Sequence, residues 1–128
     1  MDGMISFAAN GAGRVEAGSR HLAAASAMRR YVPHVVAWRW AEAGGPISVT
    51  LPESLSAREL LRRAEHERIE LGVVDDPTAP DRVFEIHYAH LAEDEIAEGI
   101  RRLGDCLVRY WELAARHMPG QASTLVGT

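Results

Sequence analysis

A chain of 128 residues and 14.0 kDa can bury one domain core but not two. Its net charge of −4 leaves no basic surplus to neutralise phosphates, which excludes nucleic acid as the main partner. All fourteen basic residues are arginine and none is lysine, so no side chain in it can form a Schiff base.

Residues 1–18 hold four glycines and no sustained period, and they read as a flexible lead-in with at most one short strand around Ile5–Ala8. They lack the basic start and apolar block of a signal peptide, and no later run approaches the ~20 apolar residues of a membrane helix. The chain is therefore expected to be cytoplasmic and to avoid membranes. Gly11 and Gly13 hint at a phosphate loop, but Glu16 stands where the third glycine is needed.

Ser19 can cap a helix over 20–32, with Leu22, Ala25, Met28 and Val32 along one side and Pro33 closing it. VVAWRW (35–40) alternates as a strand, EAGGP turns, and ISVTL (47–51) alternates again, which makes a hairpin. Ser56 and Glu59 form a capping box, and Leu55 can staple to Leu60, so a helix starts there and runs to about Arg68. IELGVV (69–74) and VFEIHYA (83–89) are two more strands flanking DDPTAPD. From about 93 to 117 the stripe Ile96, Ile100, Leu103, Leu107, Tyr110, Trp111 and Ala114 marks a long helix, acids first and Arg116-His117 last, as the macrodipole favours. Residues 119–128 read as a disordered tail, leaving one domain over 19–118. Four strands and three helices suggest an α+β two-layer sandwich, its mainly antiparallel sheet covered by helices on one face.

Alternation along the last strand sends Phe84, Ile86 and Tyr88 towards that core. Glu85 and His87 point the other way, onto a face that also carries Ser48 and Thr50. A carboxylate can orient an imidazole, so Glu85 and His87, with Tyr88 beside them, are the candidate catalytic residues. Arg39 could hold an acidic group next to them, with Ser48 and Thr50 completing a candidate substrate-binding set. His87 and His90 fall on opposite sides of a strand, which disfavours a metal site, and no metal is expected. Cys106, the only cysteine, lies near an apolar helix stripe and reads as packing.

Two longer stretches carry a resemblance: GGPISVTLPESLSARELLRRAEHERIELGVV and VFEIHYAHLAEDEIAEGIRRLGDCL. In this order they resemble the C-terminal small domain of class I/II, fold-type I, PLP-dependent aminotransferases. There a GG hairpin leads into an LPE-initiated helix, and an RLNF strand precedes EEEI and EGIRRL. The likeness spans about residues 30 to 112 and implies the same α+β small-domain fold. It also implies departures. The family's large domain, which holds the cofactor and the Schiff-base lysine, has no counterpart here. The arginine of RLNF, which holds the substrate carboxylate, is matched by Glu85, its asparagine by His87 and its phenylalanine by Tyr88.

Of three readings compatible with this pattern, one is a fragment of a degenerate gene with no selected activity and two are functions. One is a stand-alone aminotransferase-like small domain that uses no cofactor, unable to perform PLP chemistry itself. It would serve as an interaction or accessory subunit, as a homodimer or on a large-domain chain. The other is a cofactor-independent small enzyme of metabolite biosynthesis, using Glu85 and His87 for proton transfer, cyclisation or elimination on a small polar metabolite.

Overall fold

The computed structural model describes residues 3–8, 18–40, 42 and 45–117. In chain order the elements are β1 (Ile5–Ser6), α1 (Ser19–Tyr31), β2 (Ala37–Trp40), β3 (Ile47–Thr50), α2 (Ala57–His66), β4 (Ile69–Glu70), β5 (Gly72–Val74), β6 (Val83–Ile86) and α3 (Glu93–His117). β2, β3, β6 and β5 form an antiparallel sheet in that order, and β1 pairs in parallel with β4 as a separate two-stranded ribbon. The expected α+β architecture is thus present, with Ile47, Val49, Phe84 and Ile86 buried against the helices.

Cross-strand register sets both faces of the sheet. Trp38 faces Val49, Val49 faces Phe84, and Phe84 faces Val73, a row that belongs to the core side. One residue along, the opposite face carries Arg39, Ser48, Glu85 and Gly72 in a single row, with Ala37, Thr50, Val83 and Val74 in a second. A slip of one residue would exchange these sets, so the apolar alternation of ISVTL and VFEI fixes which residues point away from the helices; of these Val83 is nonetheless buried.

Five expectations need correction. Residues 1–18 do not all lie outside the domain. Ile5 and fully buried Phe7 belong to the core, because α3 offers Gly99, where an added Cβ would come within 2.6 Å of the Phe7 ring. The strand expected over 69–74 is broken at buried Leu71, its first half pairing with β1 and its second with β6. The last strand stops at Ile86, because the His87 amide turns to the Phe7 carbonyl (2.9 Å) instead of continuing the ladder. In α1, Leu22 is exposed and the buried face is Ala24, Ala25, Ala27 and Met28. Small residues are needed there because the helix runs so close to α3 that a Cβ on Gly104 would sit 2.3 Å from the Tyr31 carbonyl oxygen. Helix α1 also begins at Ser19, with Gly18 in the cap position and no side-chain cap. The segment expected to be a tail, 119–128, lies outside the described residues, as do Gly11, Gly13 and Glu16.

The start of α2 is built as its sequence suggests, with one change. Ser56 Oγ accepts from the Glu59 amide (3.2 Å), which is half of the capping box. Glu59 does not reach back, since it pairs with Arg62 and Arg63. The remaining amides go elsewhere: Ser56 N–H donates to the Tyr110 hydroxyl, Ala57 N–H to the Asp81 carbonyl and Arg58 N–H to the Asp81 carboxylate. Every donor of that first turn is satisfied within the domain, so the helix end has no free amides for an anion.

Candidate functional site

The uncovered face gathers most of the residues singled out by alternation. Glu85 and His87 share it, and the Glu85 carboxylate meets His87 Nε2 at 3.0 Å. Their side chains are 31% and 27% exposed, so the pair is accessible yet sheltered at its base. The pair survives the end of the strand because β1 takes over. Phe7 accepts the His87 amide, and His90 Nε2 meets the Ser6 carbonyl at 2.9 Å, pinning the chain on both sides of Tyr88. This clamp also settles His90, whose ring is held by Ser6 rather than turned towards His87. No group of three or more His, Cys, Asp or Glu among the described residues is placed to hold a metal ion.

Arg39 and Ser48 lie in the same row as Glu85, and Thr50 lies in the next. Arg39 is exposed and forms no hydrogen bond or ion pair with any described residue. Its charge is nevertheless felt by Asp76, whose carboxyl is held below the usual range, first by the Thr78 hydroxyl and only last by Arg39. Chemically the face presents a free guanidinium, two hydroxyls and a carboxylate–imidazole pair. Glu85 uses one oxygen on His87 and has no partner for the other among the described residues.

Tyr88 does not join them. It is 2% exposed, its hydroxyl donates to the Gly45 carbonyl (3.1 Å), and its ring meets Trp40 edge-on at 5.9 Å. Burial raises its pKa above the ordinary phenol value, so it stays a neutral donor that ties the β2–β3 turn to the core. Buried on the core side, the Tyr88 hydroxyl is kept away from the face that carries Glu85 and His87. Cys106 is likewise buried, and burial pushes its thiol up to about 11, which keeps it protonated and unreactive near neutrality.

Reasoning from sequence missed the contribution of Ser6 and Phe7, whose carbonyls position His90 and His87. The available signal was the short apolar alternation of Ile5–Phe7 together with Gly99 in the α3 stripe. It also gave no hint of a cleft of about 530 Å³ between the α2 start and the 78–82 loop, lined by Glu53, Ser56, Thr78, Asp81, Arg82 and Tyr110 among others. That cleft does not include Glu85 or His87. Ser56 and Asp81 in it are occupied in capping α2.

Known aminotransferases share this fold. The alpha-aminoadipate aminotransferase of Thermus thermophilus aligns with a TM-score of 0.66 and 33% identity over 73% of this chain and 25% of its own. The multiple substrate aminotransferase of Thermococcus profundus gives 0.63 and 25% identity over 73% and 24%. A kynurenine aminotransferase of Pyrococcus horikoshii gives 0.61 and 26% identity over 70% and 23%. The chain spans about a quarter of the length of these proteins. No family model and no curated protein matches the sequence. The fold and its uncovered face define an aminotransferase-like α+β small domain. Its structural relatives are PLP-dependent aminotransferases, the family that the two motif stretches resemble.

Pyridoxal phosphate, the cofactor implied by that family, is held there through a Schiff base to a lysine. The 128 residues supply no lysine amine.

Proposed function

We propose that this domain works by association, with the uncovered sheet face covered by a partner chain, and that it carries out no Schiff-base chemistry of its own. The observation that carries this is the form of the face. Arg39, Ser48, Thr50, Glu85 and His87 are spread over a four-stranded surface, whereas small-molecule sites are concave and bury most of their ligand. An exposed guanidinium, two hydroxyls and a carboxylate–imidazole pair spread in this way suit a protein surface of complementary charge better.

The test is site-specific photo-crosslinking in native extract, with the crosslinker at Thr50 on the open face or at Val108 on α3. Association through the face predicts one discrete adduct from position 50 and none from 108. Equal labelling from both positions, or none from position 50, sinks the idea.

The 3.0 Å contact between Glu85 and His87 favours a second reading, in which the pair moves protons on a small polar metabolite. His87 is the base in that case. Its Nε2 is held by the carboxylate, while Nδ1 has no partner among the described residues.

A further inference from the structure

We propose that the partner on the open face is a second copy of this chain, related by a two-fold axis that runs along β3. This rests on the association reading and names its occupant. The row Arg39, Ser48, Glu85 crosses three adjacent strands, so the two charges flank Ser48 at one strand spacing, ~4.8 Å, on either side.

Rotating the sheet by half a turn about an axis lying along β3 places β2 over the partner's β6 and leaves each row at its own level. Arg39 then faces the partner's Glu85, and Glu85 faces the partner's Arg39. The hydroxyl residues Ser48 and Thr50 lie over their own copies at the axis. The alternative axis, across the strands, superposes the charged row on the second row and pairs no opposite charges.

Side-chain sizes agree with the first arrangement. Short Ser48 and Thr50 lie at the centre, where two sheets approach most closely, and long Arg39 and Glu85 lie to the sides. Both charged groups have capacity left for the contact: Arg39 has no partner among the described residues, and Glu85 has a free second oxygen. His87 would then buttress an intermolecular ion pair. Three overlapping strands, β2, β3 and β6, of four residues each make a plateau of only roughly 200 Å². A stable complex needs about 800 Å² per partner, so the association is concentration-dependent.

Sedimentation of the full chain at up to about 1 mM tests this, because a weak complex becomes populated only at such concentrations. Wild-type protein is expected to reach twice the monomer mass at low salt and to dissociate as salt rises from about 50 to about 500 mM. R39E and E85R should each remain monomeric, since each opposes like charges. An equimolar mixture of the two should restore the dimer, because every contact then joins opposite charges. Circular dichroism confirms folding of each variant, and R39A and E85Q, which leave no repulsion, should weaken the dimer without abolishing it.

The assignment is overturned by wild-type protein that stays monomeric, by single variants that dimerise as wild type, or by a folded mixture that fails to recover. A monomeric wild type that still gives a heavier, discrete crosslink from position 50 removes the second copy and leaves association through this face intact.

Discussion

Glu85 holds the His87 ring with one oxygen while the Phe7 carbonyl holds the same residue by its backbone amide, so ring and backbone are each fixed. If the pair moves protons, His87→Ala should remove at least ~100-fold of any activity while melting within ~1 kcal/mol of wild type, as expected for a part-exposed side chain. Tyr88→Phe should do the reverse, keeping activity and losing about 1 kcal/mol with the hydrogen bond to Gly45. A screen of polar metabolites combined with thermal melts separates the two, and unchanged turnover in the His87 variant ends the acid–base reading. Which side chains share the open face was legible in the sequence, because period-2 alternation in ISVTL and VFEI is a strong local signal. The same rule puts Tyr88 on the core side, although it is a sequence neighbour of His87. The contact of His87 with β1 was not legible, since nothing local ties residue 87 to residue 7.

At the scale of elements, the tightest joint is between α1 and α3. The alanines of α1 and Gly104 of α3 let the helices approach until the Tyr31 carbonyl occupies the space of a Cβ. Gly104→Ala gains up to about 1 kcal/mol of helix propensity. It must also displace backbone, an overpacking cost of about 1–3 kcal/mol. A net loss of stability in denaturant titration is expected, and a more stable variant would mean that the helices can slide apart freely. The α2 start was readable because Ser56 acts on a residue three positions away. The face of α1 was not, because Leu22 suggested a wide apolar stripe where close approach demanded small residues instead. The break at Leu71 was hidden for a similar reason. IELGVV reads as one strand, and only its two different partners, β1 and β6, divide it.

Over the whole molecule, β1 does more than its two residues suggest. Ile5 and Phe7 donate their amides to Arg68 and Glu70, and Phe7 accepts from His87, so the first described segment is stitched between β4 and the end of β6. Phe7→Ala should therefore cost about 3–5 kcal/mol, as for other fully buried aromatics, and should loosen the open face through His87. Equilibrium unfolding measures the first effect, and hydrogen exchange at the His87 amide measures the second. A loss under ~1 kcal/mol would show that β1 is only laid on the surface. The same stitch orders events in time. During synthesis Ile5–Phe7 emerge long before residues 68–70 and 87, so the earliest segment must wait with its apolar side chains exposed until the last strand arrives. Completion of this small domain is thus a late, long-range closure.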